Sequence, residues 1–232
     1  VVTDTTKKAT VPEKPFDRPL DGYYKKTNIL SAKVTPYPYL READVAYAKR
    51  IWREIDLRAK MNQYLASPKS RLIDVLMNAI ASGELTAYDP TPNAAKNDPD
   101  GDAFSTPLTP AQARARMADS VVVDKFDTAG NKIGSVVKPG EFNPDSIVKF
   151  RIKEDWIFDK QRSVFEPRII GIAPMIKPKA GSVDLDYQPA FWIYFPDARA
   201  VLATKEVASN HNDNTGLSFD DVFMKRIFTS YI

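Results

Sequence analysis

The chain contains no cysteine and a single histidine, His211. Without cysteine there is no thiol nucleophile, no disulfide and no thiolate ligand for a metal ion. A zinc site built from several imidazoles is excluded by the single histidine. The stretch around it, HNDN, shows no sign of a Ser-His-Asp triad and is typical of a polar surface loop.

Glycine is also scarce, at 9 residues, and neither GxxxxGK nor GxGxxG occurs. The sequence therefore lacks the glycine-rich loops that cradle phosphates. Acidic pairs such as Glu154-Asp155 are present, but no pattern selects two carboxylates that would face each other across a cleft. These absences argue against an enzyme and leave a carboxylate-based hydrolase as the remaining enzymatic alternative.

Long apolar runs and an excess of one charge are missing as well. No apolar run reaches the roughly 18 residues that a membrane-spanning helix needs. The 33 basic and 30 acidic residues leave a net charge of only +3, whereas nucleic-acid-binding proteins concentrate Lys and Arg far more. A hydrophobic fraction of 43% predicts a folded chain with its own core.

The clearest positive signal is the stretch SIVKFRIKEDWIFDKQRSVFEPRIIGIAP, which covers residues 146–174. Apolar and charged residues alternate through its first half, which is the period of a strand with one buried and one exposed face. A polar break at 159–162 has the length of a turn, and a second β-rich run covers 164–172. The stretch predicts a long antiparallel hairpin that needs a second layer over its apolar face.

The exposed side of this hairpin is predicted to carry a basic stripe, consisting of Lys149, Arg151 and Lys153. Three cations on one strand face repel each other unless acids or solvent neutralise them. One interpretation is cross-strand pairing with Glu166 on the returning strand. The other is an electrostatic contact with an acidic partner, helped by aromatic residues such as Trp156 at the edge of the stripe.

The rest of the chain predicts an α+β fold in which the antiparallel sheet packs against an N-terminal helical hairpin and C-terminal helices. Residues 1–40 hold five prolines and are interpreted as an extended arm, whereas 41–232 form a single domain. Apolar spacing predicts helices over 41–66, 72–81, 109–118, 197–208 and 219–228, and strands over 85–88, 121–126, 133–137, 185–187 and 191–195.

A long polar loop at 89–107, DPTPNAAKNDPDGDAFSTP, separates these elements. Asp98, Asp100 and Asp102 with Gly101 imitate part of a calcium-binding loop. The complete motif ends in a bidentate acid, where this sequence has Pro107, Leu108 and Thr109. The loop is therefore predicted to hold an Asp/Gly turn.

Several long phrases resemble the GldN/PorN family of the type IX secretion and gliding machinery of Bacteroidetes. They are IWREIDLRAKMNQ, GELTAYDP, the 146–174 stretch, FPDARAVLATKEVAS and the ending FDDVFMKRIFTSYI, and the similarity extends over most of the chain, from about residue 39 to residue 232. The family's sequences continue past the SYI ending, which implies a longer full-length protein.

The resemblance implies a non-enzymatic, periplasmic structural subunit at the inner face of the outer membrane, without a cofactor. Such proteins join a GldK/PorK-type outer-membrane lipoprotein in large rings, contact the GldM/PorM motor protein and touch the membrane only through the lipoprotein. We expect the partner contacts at Lys149, Arg151, Lys153, Trp156, Lys225 and Arg226. The alternative is a peptide- or glycan-binding module that uses Trp156 and Trp192.

Overall fold

The computed structural model describes residues 32–118, 120–126, 132–139, 142–180, 183–207 and 216–232. His211 and residues 1–31 of the predicted arm lie outside the described residues. For 120–126, 132–139, 179–180 and 183–184 the backbone alone is described. No helix among the described residues is long and apolar enough to cross a membrane.

Strands and helices alternate irregularly along the chain. The described strands are β1 (Val45–Asp56), β2 (Ala87–Tyr88), β3 (Pro107–Leu108), β4 (Ser120–Phe126), β5 (Lys132–Pro139), β6 (Lys149–Asp159), β7 (Val164–Ile176), β8 (Lys179–Ala180), β9 (Val183–Asp184), β10 (Gln188–Pro189) and β11 (Trp192–Tyr194). The α-helices are α1 (Leu72–Ser82), α2 (Pro110–Met117), α3 (Phe195–Ala203) and α4 (Phe219–Met224).

The main sheet has seven strands, in the order β1-β6-β7-β11-β2-β3, with β10 added to β7. Adjacent strands of this sheet all run antiparallel. Two separate two-stranded sheets pair β4 with β5 and β8 with β9. The prediction of an α+β fold with an antiparallel sheet is confirmed, and the long central hairpin is the β6–β7 pair. The apolar strand β11 lies inside the sheet, as its two-sided hydrophobicity predicts.

The predicted helix over 41–66, and with it the N-terminal helical hairpin, is wrong. The segment forms β1, followed by a 3₁₀ helix over Lys60–Ala66. Helix-favouring Ala, Arg, Lys and Glu dominate its sequence, but pairing along the whole of β6 overrides that local preference. Ile55 is the one fully buried side chain of β1, so the alternation of a strand is weak in its sequence.

Other predicted elements are confirmed with shifted ends. Helix α1 ends at Ser82 and is followed by Gly83, whose left-handed conformation (φ +81°) suits glycine. Helix α3 begins at Phe195 rather than Asp197, because Pro196 fits the first turn. Helix α4 begins after the Ser218 cap but ends at Met224 instead of 228, since Arg226 is left-handed (φ +54°). Residues 185–187, predicted as a strand, lie between β9 and β10.

The helices cover one face of the sheet. Ile55, Phe150, Ile152 and Ile172 from the strands join α1, α3 and α4 in one hydrophobic cluster, in which Phe195 and Phe223 pack edge to face at 5.4 Å. Aromatic pairs of this geometry add to the energy of burial. The ends of β1, β6 and β7 that lie near the turn between β6 and β7 extend the sheet beyond this cluster.

The polar loop covers the opposite face. Asp98 is buried and accepts hydrogen bonds from the amides of Asp102 and Ala103 and from the Ser105 hydroxyl, which confirms the predicted Asp/Gly turn. The turn directs Phe104 onto the sheet, where a Cβ on Gly171 would lie 2.8 Å from Phe104 Cζ. Glycine at 171 thus permits a close approach of loop and strand.

Candidate interaction surface

The basic stripe is neutralised within the subunit. Arg151 lies opposite Glu54 on β1 and donates to Glu54 Oε1 at 2.6 Å, while Lys149 Nζ donates to Oε2 at 3.1 Å. The Tyr231 hydroxyl donates to the same Oε2 at 3.0 Å. Cross-strand neutralisation is thus confirmed, but the predicted partner was wrong, because Glu166 is paired with Arg162.

Burial by itself would raise the pKa of Glu54, but the hydrogen bonds from Arg151, Lys149 and Tyr231 outweigh it and lower the pKa. Lys149 also lies 4.7 Å from the ring centre of Tyr187 and 5.1 Å from that of Tyr231. This half of the stripe is an internal ion-pair network between strands β1 and β6.

The prediction that Lys153 lies on the exposed face is wrong. Only 3% of it is exposed, and Nζ donates to Asp102 Oδ1 and to the Asp102 carbonyl oxygen, both at 2.9 Å. Trp52 Nε1 donates to the other carboxylate oxygen at 2.8 Å. The polar loop, folded back on the sheet, supplies the buried counter-charge, so Lys153 secures this loop instead of meeting a partner.

The predicted residues Trp156 and Arg226 meet at a second buried acid, on the helix-covered face. Glu154 is fully buried, and it accepts from Trp156 Nε1 at 2.8 Å and from Arg226 at 2.8 and 3.3 Å. Arg53 Nε lies 3.7 Å from the same carboxylate. The Arg226 guanidinium also lies 5.6 Å from the Trp156 ring centre, within the range of a cation–π contact.

Lys225 is the most exposed of the six predicted contact residues. Its side chain is 60% exposed and pairs with Asp221 one helical turn earlier, at 3.1 Å. A pair of this kind at the surface contributes little to stability. Lys225 is therefore accessible, whereas Arg226 beside it is tied to the buried Glu154.

An aromatic patch, consisting of Tyr47, Trp156 and Phe165, lies on the extended end of the sheet. Phe165 is 5.1 Å from Trp156 and 6.3 Å from Tyr47, measured between ring centres. Tyr47 is 53% and Phe165 48% exposed. The sequence points to Trp156 but not to the other two residues, because the pattern around Tyr47 predicts a helix and Phe165 belongs to a β-rich run with no further signal.

Strand β1 forms one edge of the main sheet, and β3 forms the other. Within the described residues the outer side of β1 pairs only at Glu54, which exchanges both backbone hydrogen bonds with Tyr231, at 2.8 and 3.0 Å. We call the unpaired part, Ala46–Trp52, the open edge of β1. Unprotected edges of this length attract other strands, so they are usually shortened or covered.

A cleft of about 680 Å³ lies between the polar loop and the segment before β11. Prolines, Trp52, Arg116, Arg151 and two acids, Asp100 and Asp102, line it. Asp102 is engaged by Lys153 and Trp52, so the two acids are not a free catalytic pair. In the described part of the chain no three acidic or histidine side chains converge closely enough to hold a metal ion.

The two tryptophans of the alternative binding module do not form a common platform. Trp192 is 2% exposed and contacts Phe104, whereas Trp156 lies in the aromatic patch with its indole N–H bonded to Glu154. A stacking surface for a sugar or peptide needs exposed rings. The buried Trp192 argues against this alternative.

The molecule is therefore an α+β protein with an exposed aromatic patch and, among the residues that the structure describes, an open edge on its main sheet. The sequence model of the family described as gliding motility associated protein GldN matches residues 40–232. This match spans most of the chain, which therefore belongs to the GldN family. No curated protein matches the sequence.

Proposed function

We propose that the chain is a non-enzymatic structural subunit of the type IX secretion and gliding machinery, located in the periplasm. It co-assembles with a GldK/PorK-type outer-membrane lipoprotein, contacts the GldM/PorM motor protein and associates with further copies of itself in a ring. It binds no nucleic acid and reaches the membrane only through the lipoprotein. Membership of a gliding-motility family supports this proposal.

The observation that carries the proposal is the aromatic patch. Tyr47 and Phe165 expose about half of their surface on strands that are held in place by long antiparallel pairing with β6. Rigid aromatic side chains lose little entropy on binding and are enriched at the centres of protein interfaces. The patch therefore fits the apolar contact of an assembly subunit, and we assign it to the lipoprotein.

The test replaces Tyr47 and Phe165 together by serine and mixes the variant with the lipoprotein lacking its lipid. Mass photometry and negative-stain microscopy should show mixed arcs or rings for the wild type and separate particles for the variant. Met61→Ser, which alters a similarly exposed apolar residue (55%) outside the patch, is the matched control. Unchanged assembly of the double variant would refute the role of the patch, and no assembly of the wild type would count against the proposed function.

The accessible cation Lys225 offers a separate test of an electrostatic contact. Lys225→Glu reverses an exposed charge without breaking a buried pair, whereas Arg151→Glu would also disrupt the internal pair with Glu54. If Lys225 faces an acidic partner, the charge reversal weakens co-assembly, and more so at low salt. Equal affinity of Lys225→Glu and wild type would remove Lys225 from the contact.

A further inference from the structure

Within the described residues, the open edge of β1 presents a row of backbone groups without a strand partner. Glu54 directs its N–H and C=O outward to Tyr231, at 2.8 and 3.0 Å. In an antiparallel ladder, alternate residues share this direction, so Trp52, Arg50 and Ala48 point theirs outward as well. Within the described residues none of these three backbones has a strand partner on that side.

The hairpin of β4 and β5 likewise needs a strand partner. Its strands pair with each other and, in the part of the chain that the structure describes, with no third strand. An isolated two-stranded hairpin is marginally stable, and a third strand or a covering layer is what stabilises it. Strand β4, SVVVDKF, contains neither Gly nor Pro and is rich in β-branched residues, which favours it over β5 as the pairing strand.

We propose that β4 of one copy adds in antiparallel orientation to the open edge of β1 in the next copy. The open edge Ala46–Trp52 and strand Ser120–Phe126 are equally long, so one pairing satisfies both. Tyr47 is 53% and Trp52 39% exposed. They lie near opposite ends of the open edge and on opposite faces of the sheet, so one aromatic side chain would flank the added strand on each face.

The contact joins two different surfaces of the same chain, so it repeats from copy to copy and closes into a ring when the rotation allows. The inference rests on the proposed self-association and specifies its contact. Addition of an extended segment of another chain to an exposed sheet edge is a recurring mode of protein–protein recognition.

Disulfide trapping tests the pairing directly, because the chain has no cysteine of its own. A chain carrying Lys49→Cys is mixed with chains carrying one cysteine at each position from 121 to 125, in the presence of the lipoprotein and a mild oxidant. Since side chains of a strand alternate between faces, cross-linking should rise and fall with a period of two. A flat profile or no cross-link in assembled rings overturns the proposal.

Blocking the edge gives a second, independent test. Ala48→Pro removes an outward N–H that has no backbone partner within the described residues, and proline is tolerated on that side of an edge strand. We expect self-association to weaken at least about fivefold, against no change for Ala48→Thr, which retains the N–H. Thermal unfolding of both variants establishes that the monomer stays folded.

The outcomes separate the two proposals. If the wild type forms no assembly with the lipoprotein, the proposed function fails. If rings form and Ala48→Pro leaves them intact, only the β4–β1 pairing is wrong. If Ala48→Pro weakens binding of the lipoprotein but not the contact between copies, the lipoprotein occupies the open edge and the proposal is overturned.

Discussion

Lys153 Nζ lies 2.9 Å from Asp102 Oδ1 although the two residues are 51 positions apart, and both are buried. The pair joins the centre of the sheet to the polar loop. A charge removed from water at this depth remains favourable only while its partner stays in place. The conformation of the loop is thus coupled to one ion pair.

Asp102→Ala should therefore destabilise the fold strongly. Loss of the carboxylate leaves the Lys153 charge buried without a counter-charge, which costs about 3–5 kcal/mol in comparable pairs. Urea unfolding measures the change, and Asp100→Ala, an exposed acid in the same loop, should stay within about 0.5 kcal/mol of the wild type. A loss below about 1 kcal/mol for Asp102→Ala would mean that the loop opens and hydrates Lys153.

Glu54 should contribute stability that depends on pH. Its pKa is lowered in the folded state by Arg151, Lys149 and Tyr231, so the contribution is full above its unfolded pKa of about 4.5 and is lost as pH falls through the folded value. The difference in unfolding free energy between wild type and Glu54→Gln should be largest near pH 7 and shrink below pH ~4.5. Denaturant titrations across this range test it, and a difference independent of pH would contradict it.

Lys225 and Arg226, two neighbouring cations at the end of α4, should differ sharply in their contribution to stability. Arg226→Ala removes two hydrogen bonds from the fully buried Glu154 and should cost about 1.5–3 kcal/mol, since Arg53 still lies near that carboxylate. Lys225→Ala, the matched control, loses only a surface pair and should cost less than about 0.5 kcal/mol. Equal effects in thermal unfolding would refute this distinction.

Gly171→Ala should loosen the polar loop. The added Cβ would lie 2.8 Å from Phe104 Cζ and 3.2 Å from Trp192 Cε3, and overpacking of this kind typically costs about 1–3 kcal/mol. In a Phe104→Ala background the first clash disappears, so the same substitution should cost less. Strict additivity of the two substitutions in urea unfolding would exclude direct contact as the cause.

The central hairpin was predictable because Phe150 and Ile152 alternate with charged residues over a long run, and a turn of polar residues follows. Strand β1 was not predictable, because its charged and small residues suit a helix and its strand character comes from pairing with β6, about a hundred positions later. Local sequence reports local preference, and this strand is determined by distant contacts.

The same limit applies to the site. The burial of Lys153 depends on Asp102, a loop residue whose approach to the sheet depends in turn on Gly171 and the turn at Asp98. None of these contacts leaves a periodic signal in the sequence. Trp156, by contrast, lies in a strongly alternating strand, and recognising its aromatic patch required the correct placement of Tyr47 and Phe165.

The antiparallel bridge between Glu54 and Tyr231, with the amide of Asn62 bonded to Thr229, joins parts of the chain 177 and 167 positions apart. The residues of β1 are synthesised early, but the edge beside Glu54 is completed only when residues 229–231 have been synthesised. Contacts of such high sequence separation slow folding. Folding intermediates of this protein should therefore expose the edge of β1 at Glu54 in addition to the open edge, Ala46–Trp52. Chains interrupted before residue 229 should be favoured substrates for chaperones and proteases.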